Sequence, residues 1–532
     1  MATIVHQHDK RIGVTYAYES TSYWDKEKKQ SRCKRKLIGV VDPVTGEVKP
    51  TSRKSRTENS TTDMSWLGAK RTFYGATYLL DFIGKATGVE SDLQKCFPHT
   101  YKQILSIAYY MIIEDKSPLS RFVKWSNLHT HPHGEIITSQ RSSDLFADIT
   151  EDLRMQFMRL QAKRRTDNEY WAYDTTSISS YSEMLRQVSY GKNKDHDSLP
   201  QVNIALLYGE TSMLPFYYRK LAGKVSDVST VKQLLRDMEF ICAKKIKLVM
   251  DRGFYREENI NDLLSEHLKF LIGVKLSLKY VRKTLNEARA TVRDWQNFMP
   301  DKEAYGLTVP IWWNHKQVRP YKKDEITTRR RMYLHIYYDP VRAIEDERQF
   351  TKMICRLNNE LTSDNRVAEN EAKYAKYFEV KTTPIRGLKV TVKQDAIERS
   401  KQDYGYFALL GNSRLRPETA LTIYRNKDVA EKAFDNIKDR LDMRRMNVSS
   451  DLSLDGKLFV VFVALIYVSY LHKVMKQAKL YTKYTMNELL DEFEMIERFE
   501  REGHKPQLGE ITIKQADLYS ALNIPPPKSS LC

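Results

Sequence analysis

The order of the apolar segments between Tyr170 and Lys275 constrains the fold more than any other feature of this 532-residue chain. Three segments rich in aromatic and β-branched residues predict β-strands: Tyr170–Ile178, Val202–Tyr208 and Leu214–Tyr218. The segments that follow predict helix, strand, helix and strand in turn: Asp227–Met238, Ile246–Met250, Glu257–Leu268 and Phe270–Val274. The sequence therefore predicts an α/β fold built on a mixed five-stranded sheet with helices.

Two aspartates occupy strand positions in this region. Asp174 lies within the first predicted strand, and Asp251 directly follows the apolar strand Ile246–Met250 and precedes Arg252-Gly253-Phe254. Burying an ionised carboxylate is costly unless a cation or a metal ion accompanies it. Both positions therefore favour a functional site. Each aspartate taken alone could equally be a residue that caps a turn.

A glutamate further along the chain belongs to a more specific pattern. At about 100° per residue, one face of a helix carries four residues within about 60° of arc: Tyr424, Lys427, Glu431 and Lys438. An apolar stripe that includes Ala430 and Ile437 lies beside them, so Lys427–Leu441 is predicted to be an amphipathic helix. A solvated face with Lys/Glu pairs four residues apart would also explain the charges.

The spacing Tyr-x2-Lys-x3-Glu-x6-Lys resembles the Tyr-x2-Arg-x3-Glu-x6-Lys signature of the insertion-sequence-four group of DDE transposases. The resemblance extends over Tyr170–Val274 and from Tyr404 to about Leu471, and it includes Glu418–Phe434 followed by Arg444-Arg445. The order of strands and helices is also the one expected of an RNase H-like core. Lys427 departs from the signature, because a lysine cannot form the bidentate phosphate contact of an arginine.

This resemblance implies an enzyme that cuts and joins DNA. Asp174, Asp251 and Glu431 would be the catalytic acids and would hold two Mg²⁺ ions, with Mn²⁺ as an alternative. Tyr424, Lys427 and Lys438 would bind DNA near the scissile phosphate. The family implies cut-and-paste transposition by cleavage and strand transfer through a DNA hairpin, for which an aromatic side chain must stack a flipped base. The candidates for stacking, each of which hydrophobic burial also explains, are Trp295, Trp312 and Trp313.

The charge of the chain agrees with a polyanionic partner. The sequence has 87 basic and 68 acidic residues, a net charge of +19, which favours nucleic acid. The expected partners are double-stranded DNA, as terminal inverted repeats and target, and a second copy of the chain on that DNA. No membrane partner is expected, because the apolar run Leu458–Leu471 is shorter than the roughly 20 residues of a spanning helix and favours a buried core helix.

Five regions are expected along the chain. Residues 1–145 form a DNA-binding region, a basic β module followed by a helical part; its first 60 residues hold 13 Lys/Arg and 7 Asp/Glu. Residues 146–275 and 404–480 form the two parts of the RNase H-like core, separated by an insertion at 276–403. Residues 481–532 form a tail that could support dimerisation. Five scattered cysteines without CxxC spacing and the lack of an apolar N-terminal segment predict a protein of the reducing cytoplasm. The family resemblance further implies a prokaryotic, nucleoid-associated protein.

Two other functions stay open. An RNase H-like nuclease or resolvase would cut DNA without joining it, and a domesticated transposase would bind DNA without cutting it. A phosphatase with Asp174 as nucleophile is disfavoured, because Thr176 stands where the second aspartate is expected. No GxxxxGK loop supports nucleotide hydrolysis.

Overall fold

The computed structural model of the chain describes residues 2–9, 13–25, 30–43, 46–50, 70–115, 117–164, 169–180, 185, 187–191, 199–241, 246–318, 324–363, 365–383, 387–441, 450–501 and 505–528. The chain divides into two compact units. The first contains Met1–Lys70 and Glu500–Lys505, and the second contains Arg71–Phe499 and Pro506–Cys532.

The first unit is built on a four-stranded antiparallel sheet in the order β1-β2-β3-β4. Its strands are β1 (Ala2–Asp9), β2 (Val14–Asp25), β3 (Gln30–Val41) and β4 (Val48–Pro50). Val14, Tyr16 and Tyr18 continue an alternation from Ile12 that is typical of a strand, and they lie in β2, whereas Ile12 lies outside the described residues. β2 and β3 pair from Thr15 opposite Val41 to Asp25 opposite Gln30, so they form a long ribbon.

The second unit begins with a helical region. A short strand, β5 (Lys70–Phe73), pairs into a small sheet with β17 (Glu497–Glu500) and β18 (Gln507–Leu508). Six helices follow it: α1 (Gly75–Thr87), α2 (Val89–Cys96), α3 (Tyr101–Ile113), α4 (Phe122–Leu128), α5 (Ser139–Asp148) and α6 (Glu151–Lys163). Their apolar faces belong to the main hydrophobic core.

A mixed sheet forms the centre of the second unit and confirms the expected mixed α/β architecture. Among the described residues it has nine strands, in the order β11-β12-β13-β16-β10-β9-β6-β7-β8. They are β6 (Trp171–Ser179), β7 (Gln201–Gly209), β8 (Pro215–Ala222), β9 (Lys247–Met250), β10 (Lys269–Val274), β11 (Phe298–Met299), β12 (Ala304–Val318), β13 (Glu325–Tyr338) and β16 (Tyr406–Gly411). The pairs β6–β9 and β9–β10 are parallel, and the other neighbours are antiparallel.

The five strands predicted between Tyr170 and Lys275 are all present, as β6 to β10, and they are adjacent in the sheet. The predicted helices between them are α7 (Asp227–Ile241) and α8 (Glu257–Ser265). Residues Tyr333–Tyr338, an apolar and aromatic run that is typical of a strand, form the end of the longer β13. Its partner β12 was not predicted from the sequence.

The interval 276–403 contains two kinds of structure. Its first part, α9 (Lys279–Val292) and strands β11 to β13, widens the central sheet. Its second part, here called the insertion subdomain (residues 340–403), contains α10 (Pro340–Thr362), α11 (Glu371–Tyr377), β14 (Phe378–Thr383), β15 (Gly387–Val392) and α12 (Gln394–Lys401). The insertion subdomain has a hydrophobic core of its own, formed by Leu357, Leu361, Tyr374, Tyr377, Phe378 and Ala396.

The region after β16 is helical. It contains α13 (Pro417–Asn426), α14 (Asp428–Asp435), a π-helical turn (Asn436–Arg440), α15 (Asp451–Gln477), α16 (Met486–Glu494) and α17 (Ile513–Ala521). The helix predicted over Lys427–Leu441 is therefore present as α14 and the π-helical turn that continues it, so only the geometry of its second half differs from an α-helix. The Arg444-Arg445 pair lies outside the described residues.

The apolar run Leu458–Leu471 lies in the middle of α15. This 27-residue helix is long and apolar enough to cross a membrane by length and composition, but 78% of its apolar stretch is buried inside the protein. Its side chains pack against α3 and α5. This burial is what a core helix requires, as the sequence predicted.

Candidate active site

Strand pairing places the two aspartates side by side. β6 and β9 are parallel neighbours, with Tyr173 opposite Met250. Asp174 follows Tyr173 within β6 and Asp251 directly follows the last residue of β9, so the two aspartates are neighbours at the edge of the sheet where β9 ends. The backbone N–H of Thr175 donates a 2.7 Å hydrogen bond to Asp174 Oδ1, which fixes one oxygen of that carboxylate.

The helix that carries Glu431 lies over the same edge. Ala430, Ala433 and Phe434 are buried and anchor α14 in the main core, and α14 packs on β6 and β7. The Glu431 side chain is on the open face and is 60% exposed. Local sequence thus determines the arrangement, because the apolar stripe buries one side of the helix and leaves the carboxylate on the other.

All three predicted acids line one cavity of about 300 Å³. Its walls are formed by Asp174, Thr175, Thr176, Asp251, Glu431, Phe434, Asp435 and Lys438. The structure therefore brings Asp174, Asp251, Glu431 and the predicted cation Lys438 together. It also adds a fourth acid that was not predicted, Asp435, whose sequence signal is its position one helical turn after Glu431.

Tyr424 and Lys427 contact the acids directly. The Tyr424 hydroxyl donates a 2.6 Å hydrogen bond to Asp251 Oδ1. Lys427 Nζ lies 3.2 Å from Glu431 Oε1 and 4.0 Å from Asp251 Oδ1, and it is also 3.5 Å from Asp428 Oδ1. Only 10% of the Lys427 side chain is exposed. Lys427 is therefore an internal counter-ion of the acidic cluster.

The protonation of these groups follows from their surroundings. Burial would raise the pKa of Asp251, but the Tyr424 hydrogen bond and the Lys427 charge outweigh it and hold that pKa below its ordinary value. Burial would likewise lower the pKa of Lys427, but Asp251 and Glu431 outweigh it and raise that pKa. Asp251 is therefore ionised and Lys427 protonated at neutral pH.

The donor set suits a hard divalent cation. Four carboxylates border the cavity, and carboxylate oxygens are the ligands that Mg²⁺ and Mn²⁺ prefer. In the observed arrangement no three His, Cys, Asp or Glu side chains of the described residues are grouped closely enough to hold an ion. The residues fit a metal by their chemistry. Glu431 Oε1 lies 3.2 Å from Lys427 Nζ, so Glu431 would leave this ion pair to bind a metal ion.

The three predicted tryptophans do not line this cavity. Trp313 is buried, and its indole N–H donates a 2.9 Å hydrogen bond to Asn261 Oδ1. Its burial matches the hydrophobic alternative rather than base stacking. Trp295 and Trp312 are 81% and 66% exposed, so their ring faces are accessible. Trp312 pairs across the β12–β13 hairpin with Arg331.

A second cavity, of about 570 Å³, lies on the other side of Asp251. Its lining includes three cations that sequence reasoning did not assign, Arg252, Arg256 and Lys275, together with Glu257 and Glu258. The position of Arg252 directly after Asp251 was the available signal. Asp251 thus borders two cavities and can interact with groups in both.

Comparison with known proteins gives one family. The family model described as "Transposase DDE domain" matches residues 171–467, more than half of the chain. No curated protein is a significant match. A solved structure that matches, the cryo-EM structure of a piggyBac transposase synaptic complex with hairpin DNA, is 10% identical over 78% of this chain and 70% of that chain, with a TM-score of 0.32.

Proposed function

The chain belongs to the transposase DDE domain family, and we propose that it binds the ends of a mobile DNA element, cleaves them and joins them to target DNA. The observation that carries this proposal is the convergence of Asp174, Asp251 and Glu431 on one cavity. All three lie within the matched residues 171–467, although 257 residues separate the first from the last.

We also propose that the catalytic core is RNase H-like. The block β8-β7-β6-β9-β10 supports this assignment. Its first three strands in the chain are consecutive antiparallel neighbours, and its last two are parallel to β6. Each of the last two strands follows a helix, α7 or α8. This is the order that the sequence predicted for such a core.

In this proposal Asp174, Asp251 and Glu431 would together hold two divalent ions. When bound, two such ions stabilise the attacking and leaving oxygens of a phosphodiester. The protein supplies the geometry: β6 and β9 fix the aspartates, and α14 fixes the glutamate. Because Tyr424 hydrogen-bonds to Asp251, it orients that carboxylate toward the cavity.

The cations of the site have separate roles in this account. Lys438 lines the same cavity as the acids, and in this proposal its ammonium contacts a phosphate oxygen of bound DNA. Lys427 balances the charges of Asp251 and Glu431. Tyr424 and Lys427 would contact the DNA in the metal-loaded site. A lysine suffices at position 427 for its contacts with the two carboxylates, which do not require the planar fork of an arginine.

Cleavage through a DNA hairpin requires an aromatic side chain that stacks the flipped base. None of the three candidate tryptophans lines the cavity, so this side chain would lie outside it. Trp312 supports this part of the proposal, because it is exposed and lies opposite Arg331 on the same hairpin face. Trp295 is the second candidate. We further propose that the protein acts as a homodimer on two terminal inverted repeats, in the cytoplasm of a prokaryote.

Strand transfer tests this function against its alternatives. The substrate is the DNA that flanks the coding sequence, prepared as a labelled duplex with a pre-cut 3′-hydroxyl end, and the target is a supercoiled plasmid. With Mg²⁺ we expect joined product. Cleavage of an uncut end without any joining would instead favour a nuclease, and metal-independent binding without cleavage would favour a domesticated binding protein.

A further inference from the structure

The β2–β3 ribbon of the first unit has an unusual exposure pattern. Eight consecutive residues of β3, from Gln30 to Leu37, are exposed. On the facing strand Tyr23 and Trp24 are 51% and 62% exposed. β1 pairs with β2 only as far as Thr21, so the ribbon beyond that residue is two-stranded. A strand segment exposed on both faces contributes little to a core, which suggests that this one has another role.

The cations of β3 are concentrated on one face of this ribbon. Strand alternation places Arg32, Lys34 and Lys36 on the same side, and the register places them opposite Tyr23, Thr21 and Glu19. The other side carries Arg35, which lies opposite Ser20. By this register the same face has three cations and two acidic positions, Glu19 and Asp25, whereas the opposite face of the same segment of β3 has one cation.

The dimensions of the ribbon fit double-stranded DNA. Residues two apart on a strand are about 6.8 Å apart, so the three cations extend over about 14 Å. DNA carries one phosphate charge per about 1.7 Å of its axis, and its major groove admits a two-stranded ribbon. A row of cations on a protruding ribbon can thus reach several phosphates, and the adjacent Tyr23 can pack on sugar or base edges.

We propose that the face of Arg32, Lys34 and Lys36 on the β2–β3 ribbon binds the phosphate backbone of double-stranded DNA. This inference rests on the proposed transposase function, and it assigns a DNA contact to the first unit independently of the carboxylate cavity. Its role is affinity rather than chemistry, since phosphate contacts position a protein on DNA without reading the sequence.

The test compares adjacent residues on opposite faces. Binding of the full-length chain to a fluorescent 30-base-pair duplex is measured by anisotropy in chelator, over a range of salt concentrations. Each lost phosphate contact lowers the slope of log K against log salt by about 0.9. Lys34→Gln is expected to reduce the slope by about 1, and Arg35→Gln is expected to leave it unchanged. The triple change of Arg32, Lys34 and Lys36 to Gln is expected to reduce it by about 2.7 and to weaken binding at ~0.15 M salt on the order of 100-fold.

Several outcomes would overturn the inference. Equal slopes for Lys34→Gln and Arg35→Gln would show that the ribbon has no DNA-binding face. An unchanged slope in the triple variant, with wild-type binding intact, would remove this surface but leave the transposase proposal standing. If the triple change instead abolished binding to anionic phospholipid vesicles alone, the surface would belong to a membrane. A wild-type chain that bound no duplex would contradict the proposed function itself. Thermal unfolding of each variant verifies that it is folded.

Discussion

Lys427 is the residue for which the structure adds the most information. The DNA contact that the sequence predicted stays a prediction, and the structure places the Lys427 ammonium 3.2 Å from Glu431 and 4.0 Å from Asp251. The sequence identified Asp251 from its position at the end of a strand and Glu431 from its spacing along a helix, because both features are local. It could not show that Lys427 contacts both acids, since Asp251 and Lys427 are 176 positions apart and only the fold joins them.

Neutralising Lys427 is expected to strengthen metal binding in the absence of DNA. Lys427→Met removes a cation that competes for two carboxylates, and a partly exposed charge at this range is worth about 1 kcal/mol, or about fivefold in affinity. Mn²⁺ binding followed by electron paramagnetic resonance measures the change. Lys427→Arg keeps the charge and should bind Mn²⁺ like the wild type. Equal Mn²⁺ affinity in Lys427→Met and wild type would mean that Lys427 does not balance the acids.

Asp81 in α1 gives the molecule a specific pH dependence. Burial raises its pKa to about 6, and the 2.9 Å hydrogen bond from Tyr109 offsets only part of that effect. Because the pKa of Asp81 is higher in the folded state than in the unfolded state, its protonated carboxyl stabilises the fold below about pH 4. This stabilisation is lost as the pH rises through about 6. Asp81→Asn should therefore raise stability at pH 8 by about 1 kcal/mol, after allowance for solvent screening. Unfolding midpoints at pH 8 and pH 4 test this, and a gain of equal size at both would contradict it.

At the scale of elements, the strands β6 to β10 were predictable because each is a short apolar run between turn residues. β12 was missed for a physical reason. Its inward residues near the middle include Trp313 and His315, and His315 is buried against α8 with Nε2 3.1 Å from the backbone oxygen of Asn261. Polar residues on the buried side conceal the alternation that identifies a strand.

The π turn after α14 was missed because an apolar stripe of helical period does not reveal one extra residue per turn.

The insertion subdomain is expected to be separable from the central sheet. Tyr338 and Tyr406 are cross-strand partners, and the backbone N–H of Asp339 donates to the Gly405 oxygen at 2.9 Å. Deleting residues 340–404 joins Asp339 to Gly405 and creates an Asp-Gly turn between β13 and β16, a favoured two-residue hairpin loop. We expect this variant to fold with one cooperative thermal transition and a circular dichroism spectrum that has lost only helical signal.

A single substitution within the subdomain provides the control for that deletion. Leu357 is fully buried in the subdomain core, so Leu357→Ala should cost about 2–5 kcal/mol there. Hydrogen exchange should accelerate in α10 and β15 while β6, β9 and β10 keep their protection. Equal loss of protection in the sheet strands would show that subdomain and sheet form one cooperative unit.

At the scale of the whole molecule, the net charge of +19 and the apolar α15 were readable from composition. The sequence predicted that Leu458–Leu471 is a core helix, and its burial agrees. The sequence predicted a basic β module at the start of residues 1–145, but it did not predict a division into compact units near residue 70, because unit boundaries depend on long-range contacts that no local pattern reports. The domain boundaries expected at 145, 275, 403 and 480 stay predictions.

Cleavage of a labelled element end in Mg²⁺ by Glu431→Gln and Asp435→Asn tests the central claim most directly. Both residues are on α14, line the same cavity and lose one negative charge. Only Glu431 is proposed to hold metal, and the loss of several kcal/mol of transition-state stabilisation lowers the rate roughly 1000-fold. We therefore expect that loss in Glu431→Gln, and a rate within about threefold of wild type in Asp435→Asn. Normal cleavage by Glu431→Gln, or an equal loss in both variants, would contradict the assignment of Asp174, Asp251 and Glu431 as the catalytic cluster.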